Sequence, residues 1–335
     1  MIETITRERL VALLTAAAGK RIAVIGDAML DVYLRGDVDR ISPEAPVPVV
    51  HVTERKLALG GAANVAQNIT AIGAACDIVC AIGDDAAGVL VRQMLHEVGA
   101  GTRAVVRVTR QTTQKTRVVA RSQQLVRYDE EDDADFSGTE MEDLIAAALK
   151  AVDSADAVVL EDYNKGLLVP ALITPVISHA KSRGIPVVVD PKYRNFFSYA
   201  GATIFKPNRR ELESALGAEV DLDHPEALPA TFERLGVEHL LLTLGEKGMA
   251  LISSDGEIGR IPTTAREVYD VVGAGDTVTA YLATTLAAGG TPAQAAVIAN
   301  FAAGVEIGKL GAATVQTDEV IAAYDDFSES VSPGR

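Results

Sequence analysis

Tryptophan is absent from this chain, aromatic residues of all kinds make up 4% of it, and cysteine occurs twice. A core without many large rings has to be assembled from Ala, Val, Leu and Ile, the residues that pack between strands and helices in layered α/β proteins. Cys76 and Cys80 stand in CDIVC. As a strand, that stretch separates their Cα atoms by roughly 13 Å, beyond the reach of a disulfide. No histidine lies near them at metal-ligand spacing, which argues against zinc. They read as buried, reduced thiols, and their state fits a cytoplasmic protein.

Positive charge is also scarce, with 31 Lys and Arg against 46 Asp and Glu and a net charge of -15. Such a surface repels nucleic-acid phosphates and anionic lipid, so neither is expected as a partner. Long apolar spans are missing too. The N-terminus mixes Glu3, Arg7, Glu8 and Arg9 into a helical repeat, unlike a signal peptide, and reads as an added surface helix. The uncharged run from Thr277 to Val305 is broken by GGTP at Gly289 to Pro292, which predicts two buried helices instead of a membrane span.

Of the 335 residues, 48% are hydrophobic, enough for a sizeable core in one domain spanning residues 1–335. Short β-branched runs alternate with helical patterns. RIAVIG (21–26), DIVCAI (77–82), AVVLE (157–161), PVVVD (186–190) and LLLTL (240–244) read as buried strands; helices are expected over 62–72, 86–98, 140–152, 170–183 and 209–216. The alternation predicts an α/β fold, a mainly parallel sheet with helices on both faces, whose ligands gather at the strands' carboxyl ends. Two stretches break the rhythm, ISPEAPVPVVHV and KTRVVARSQQLVRYDEE, the second a hairpin around Ser122 to Gln124. They predict a small projecting β-sheet lid from about 36–55 and 112–130, with an edge extension of the main sheet as the alternative. DEEDDADF, from Asp129 to Phe136, reads as a solvated loop and not a metal cage.

Several short motifs can carry chemistry. GDAMLD places Asp27 and Asp31 just past the first strand, where a carboxylate can accept hydroxyl hydrogen bonds from a sugar or simply cap a turn. GGAANVAQN puts Gly60 and Gly61 before a helix with Asn64 in its first turn, fit for close approach of a ligand or for an ordinary loop. In KPNRRE, Asn208 and Glu211 are three apart at a helix start, a spacing that suits either hydrated magnesium with phosphate oxygens or a capping box. TLGEKGMAL, with Thr243, Gly245 and Gly248, can line a phosphate path or form a plain hairpin. DVVGAGD, from Asp270 to Asp276, feeds a helix with a small-residue turn, an anion cradle oddly bordered by acids. No GxxxxGK[ST] occurs, Val278 fills the third glycine position of a dinucleotide fingerprint, and the HRD and DFG pair is missing. P-loop, Rossmann and protein-kinase readings are therefore unsupported.

In the order GD(x)3D, GG(x)2N, N(x)2E, TLG, D(x)2GAGD, these motifs run along nearly the whole chain. Together they resemble the ribokinase-like, or PfkB, carbohydrate kinases, with Tyr281 a departure where many members carry a small residue. GDAMLDVYLRGDVDRISPEAPVPVV, RVVARSQQLVRYDEE, DPK and GVEIGKLGAATV narrow the resemblance to the kinase half of the bacterial lipopolysaccharide heptose enzymes. The ending about twenty residues after GKLGAATV looks like a stand-alone form. The resemblance implies ATP and Mg2+, with phosphorylation of O1 of D-glycero-D-manno-heptose 7-phosphate. It implies Asp276 as general base, Ala274 and Gly275 as the anion hole with Gly273 in the same catalytic turn, and Asp31, Gly60, Gly61 and Asn64 on the sugar. Asp162 is expected beside the substrate. Asn208 and Glu211 are expected to organise the metal through water or phosphate, Thr243, Gly245 and Gly248 to meet the nucleotide, and Asn300 the adenine side. A sugar phosphate needs cations, and Lys165, Lys192, Arg194, Arg117 and Arg121 are candidates, each also readable as a solvated surface charge. A homodimer through the projecting sheet is a further implication. Another substrate of this family, such as ribose, fructose or a nucleoside, and a catalytically silent sugar or nucleotide sensor are the alternatives. Asp270 either orients the turn or helps a cation site.

Overall fold

The computed structural model describes residues 5–121, 123–264, 269–309 and 311–331. The chain opens with α1 (Arg7–Ala17), started by Thr6, whose side chain accepts from the Arg9 N–H. Then comes β1 (Arg21–Gly26), buried from its second residue onward. After Asp27 alone, the chain enters β2 (Ala28–Ile41) and returns along β3 (Pro48–Gly61) into α2 (Ala62–Ala71). Next are β4 (Ala75–Val79), β5 (Ala81–Gly83), α3 (Ala86–Glu97), β6 (Val106–Val108), β7 (Gln114–Ala120) and β8 (Gln123–Glu130). The βα alternation resumes with α4 (Gly138–Val152), β9 (Ala157–Glu161), α5 (Pro170–Ser182), β10 (Val187–Asp190), β11 (Ile204–Phe205), α6 (Arg209–Leu216) and α7 (Leu228–Leu235). It closes with β12 (His239–Thr243), β13 (Met249–Ser253), β14 (Ile258–Ile261), α8 (Ala274–Ala287), α9 (Pro292–Glu306) and α10 (Thr317–Val331).

Eight strands form the main sheet in the order β14-β13-β12-β11-β10-β9-β1-β4, parallel from β4 to β12 and antiparallel at β13 and β14. Alternate residues of β1 serve opposite faces. Ile22 and Val24 join the core under α1, α2, α8 and α9, while Ala23 and Ile25 join the core under α4, α5 and α7. Burial on both faces explains the uninterrupted apolar runs of these strands. Helices α8 and α9 are buried almost all round. Tyr281 is wholly buried in this core, and its hydroxyl donates to the Val315 carbonyl at 3.0 Å.

A four-stranded sheet, β3-β2-β7-β8, projects from the main one. It is longer than expected, because β2 begins immediately past Asp27 and pairs with β3 from Ala28↔Gly61 to Ile41↔Pro48. Asp31 therefore stands on a strand and not in a loop. The apolar run 77–82 is also divided at Cys80. The β4 portion completes the main sheet, while β5 pairs with β6 in a separate two-stranded sheet. The hairpin turn expected around Ser122 includes a residue outside those described. Both cysteines are free and buried. Among the described residues no helix is long and apolar enough to cross a membrane.

Candidate active site

Neighbouring parallel strands end in ionisable residues. Glu161 closes β9, Asp190 closes β10, and Lys206 follows β11. Carboxylate atoms of Glu161, Asp190 and Asp276 all lie within 4.8 Å of one another. The Lys206 ammonium bonds the Asp190 carboxylate at 2.8 Å, with both groups buried. Asp190, Lys206 and Asp276 face a cleft of about 800 Å³ between the strand ends, the turn 273–275 and α9, with Glu161 buried behind them.

The turn before α8 is shaped by Gly273, its N-cap, with φ 96° and ψ -13°. A side chain there would be strained by that backbone, and its Cβ would lie 3.1 Å from Glu306 Oε1. The first intrahelical bond runs from the Thr277 N–H to the Gly273 carbonyl. The N–H groups of Ala274, Gly275 and Asp276 thus begin the helix without intrahelical acceptors, at its positive end. Lys206 Nζ and Asp190 Oδ2 stand 3.7 and 3.8 Å from where a Gly275 Cβ would be. Anion-stabilising amides, a lysine and a carboxylate trio therefore meet at one spot.

Asp276 is held on both oxygens. Asn64 Nδ2 donates to Oδ2 at 2.7 Å, and the Tyr163 hydroxyl donates to Oδ1 at 2.9 Å. Burial, together with the charge of Asp190, lifts its pKa to about 6, while Asn64, Tyr163 and Lys206 restrain the rise. Tyr163 is itself pushed well above the usual phenol range by burial and by Asp276, so it remains a donor. Glu161 is driven well above the carboxylate range by burial, then Asp190 and Asp276. Among the described residues, neither of its buried carboxylate oxygens has a hydrogen-bond partner. An orphaned carboxylate beside two more is a donor set suited to a hard, oxygen-seeking divalent cation.

The structure brings many of the expected residues together. Gly273, Ala274, Gly275, Lys192, Asn208 and Glu211 border the same cleft as Asp276, and so do Thr243, Gly245, Gly248 and Asn300. Asn64 reaches this cleft through its bond to Asp276. Gly61, the N-cap of α2, has φ 58°, and a Cβ on it would meet the Asp27 carbonyl at 2.3 Å. Gly60 lies against the Asp31 carboxylate, which pairs with Arg117 at 2.5 Å. Asn208 and Glu211 form a complete capping box, and the second Glu211 oxygen bonds Lys192 at 2.7 Å. As found, Glu211 has protein partners on both oxygens.

Other expected residues are placed elsewhere. Asp162 is buried with its carboxylate turned inward, accepting from the Tyr199 hydroxyl and the Asn164 N–H. Burial and Asp27 raise its pKa to about 6. Asp27 accepts from the Tyr163 and Lys165 N–H groups on one carboxylate oxygen, which fixes that loop. Arg121 lies just beyond the far end of β7, with Gly36↔Ala120 the last β2 pair, six positions along from Lys115 opposite Asp31. Lys165 pairs with Glu131, and Arg194 with Asp133. The acidic run 129–136 is thereby drawn toward these cations while remaining mostly exposed. Asp270 accepts from the Val272 and Gly311 N–H groups, which orients the turn.

Tyr163, Glu161, Asp190 and Lys206 were not singled out from sequence as site residues. The available signal was positional: an ionisable residue at the carboxyl end of consecutive apolar strands, where α/β sheets meet their ligands. Their mutual distances come only from the fold.

The family described as pfkB family carbohydrate kinase matches residues 20–319. Among curated relatives, the bifunctional protein HldE of Citrifermentans bemidjiense is 44% identical over 91% of this chain and 63% of its own length. That of Caulobacter vibrioides is 45% identical over 92% of this chain and 64% of its own length. The chain thus spans somewhat under two thirds of these relatives. Among solved structures, a putative ribokinase from Agrobacterium tumefaciens superposes with a TM-score of 0.75 at 21% identity, covering 93% of this chain and 99% of that one. Arabidopsis thaliana ribokinase complexed with ribose and ATP gives 0.72 at 21% identity over 91% and 98%. These likenesses establish a ribokinase-like α/β fold.

Proposed function

The chain belongs to the pfkB family of carbohydrate kinases, and on that premise we propose that it transfers the γ-phosphoryl group of ATP to O1 of D-glycero-β-D-manno-heptose 7-phosphate, giving the 1,7-bisphosphate. The observation that carries the reading is the buried Asp276, held by Asn64 and Tyr163 in the first turn of α8, at the helix's positive end. The choice of sugar rests on the heptose-kinase resemblance, supported by 44% and 45% identity to the HldE proteins. A single kinase domain working in the cytoplasm, with the small sheet as its lid, completes the proposal.

Asp276 takes the proton of the sugar hydroxyl as that oxygen attacks the γ-phosphorus, and the bond from that phosphorus to the β–γ bridging oxygen breaks, releasing ADP. A pKa of about 6 leaves the carboxylate ionised near neutral pH yet more basic than an exposed aspartate. Tyr163 and Asn64 fix its orientation, so its remaining lone pairs point at the acceptor. The N–H groups of Ala274 and Gly275 receive the charge growing on the transferred group, and Lys206 adds a cation at the same place. Glu161 and Asp190 are the residues that would hold Mg2+, with Asn208 and Glu211 acting through water or phosphate. When bound, the ion supplies neutralisation of phosphate charge. Thr243, Gly245, Gly248 and Asn300 line the nucleotide side of the cleft.

The test is a product assay with ATP against heptose 7-phosphate, unphosphorylated heptose, ribose, fructose and nucleosides. Preferred turnover of heptose 7-phosphate is expected. Preference for an unphosphorylated sugar or a nucleoside would transfer the activity to another substrate, and binding without product would make the chain a sensor.

A further inference from the structure

The side of the small sheet that carries Asp31 also carries Lys115, directly opposite it across the β2–β7 pairing, and Arg117 two residues on. Arg117 is paired with Asp31, Lys165 with Glu131, and Lys192 with Glu211. Lys115 differs: among the described residues its ammonium has no carboxylate within 4.0 Å and no hydrogen bond. Its contact is the ring of Tyr163, 5.3 Å from the centroid. Burial lowers its pKa below the ordinary lysine value, as does Lys165, while Asp31, Glu131 and Asp129 act against that at longer range. A half-buried, unpaired cation beside a second cation is costly in an otherwise acidic protein, and an arriving dianion removes that cost.

Tyr163 connects this spot to the chemistry. Its hydroxyl bonds the Asp276 carboxylate, and its ring lies against Lys115. A sugar lying along the ring would set a hydroxyl at Asp276 and an anionic substituent at Lys115. We infer that Lys115, together with Lys165, forms the subsite for a phosphate group carried by the acceptor sugar itself. Lys165 exchanges Glu131, a partly exposed partner at 2.8 Å, for the substrate phosphate. Lys192, also 5.3 Å from the Tyr163 ring centroid but bonded to Glu211 on the nucleotide cleft, stays with the ATP side. The inference rests on the sugar-phosphate kinase reading above and names the group that makes the enzyme select a sugar already phosphorylated.

Steady-state kinetics on Lys115→Met, Lys115→Arg and Lys165→Met test it. Lys115→Met is expected to raise KM for heptose 7-phosphate by roughly 10- to 100-fold, the loss of a charged hydrogen bond, with much smaller effects on kcat and on KM for ATP. Lys115→Arg should recover most of that loss, and Lys165→Met should raise the same KM. An unchanged KM in both methionine variants, while wild type still prefers the phosphorylated sugar, overturns the subsite and leaves the proposed function standing. Equal losses in kcat and in ATP affinity assign Lys115 to lid structure and also overturn it. If wild type uses unphosphorylated heptose as well as heptose 7-phosphate, the functional reading itself fails, and the subsite with it.

Discussion

Asp276 and Glu306 are both buried carboxylates with raised pKa values, yet their neighbours give them opposite tasks. Asp276 is bonded by two donors and opens onto the cleft. Replacing it with Asn should lower kcat by about 10²- to 10⁴-fold with little change in nucleotide binding. In the wild-type enzyme, kcat/KM should fall as pH drops through about 6, because protonation removes the base. A flat profile between pH 5 and 7 would remove Asp276 from that role. Glu306, the last residue of α9, is fully buried, with the Gly273 turn and the Ala313 N–H beside its carboxylate. Burial, then Asp270 and Asp276, lifts its pKa to about 8, against weaker opposition from Lys309 and the Ala313 N–H. In the unfolded chain the same group ionises near about 4.3. Between those values the unfolded state holds fewer protons, so the stability contributed by neutral Glu306 is full below about 4.3 and is lost as pH rises through about 8. Glu306→Gln should therefore gain thermal stability relative to wild type on going from pH 5 to pH 8. Melting curves of the two proteins that stay parallel across that range would show that Glu306 does not titrate there.

At the scale of elements, the strand ends and helix starts do the positioning. Glu161 and Asp190 close neighbouring strands paired in register, so their side chains converge without any loop to hold them. Glu161→Gln should raise the Mg2+ concentration needed for half-maximal activity several-fold, read from a metal titration at saturating ATP; an unchanged titration would place the ion elsewhere. Tyr281 ties α8 to the segment before α10 through the Val315 carbonyl. Tyr281→Phe should cost about 1 kcal/mol in urea unfolding, the worth of one buried hydrogen bond, and no loss would mean that water or relaxation satisfies that carbonyl. Helix α6 was legible to the residue, because Asn208 and Glu211 advertise its cap and Gly217 its end. The break at Cys80 was not. An apolar run looks the same whether it stays in one sheet or crosses to another. Asp27 and Asp31 could not be separated for a related reason: the amides that claim Asp27 come from Tyr163 and Lys165, 136 and 138 residues away.

At the scale of the whole molecule, the motif order along the chain revealed the family, whereas the convergence of Tyr163, Lys206 and the carboxylate trio is a product of sheet order. The small sheet also leaves Ile41, Val47, Val52, Val126 and Tyr128 exposed, apolar surface on a projecting element that suits pairing with a second copy. A homodimer is expected in sedimentation, shifting toward the monomer mass when Val126 is replaced by Glu; a monomeric wild-type protein would rule out that assembly. The root of this sheet has a mechanical consequence. Only Asp27 separates β1 from β2, and Gly61 both ends β3 and caps α2. β2 and β3 are thus joined to β1 and α2 without linkers, and α2 carries Asn64, whose side chain bonds Asp276. On the proposed reading of the small sheet as a lid and of Asp276 as the base, the seating of the lid and the orientation of the base are geared together through α2.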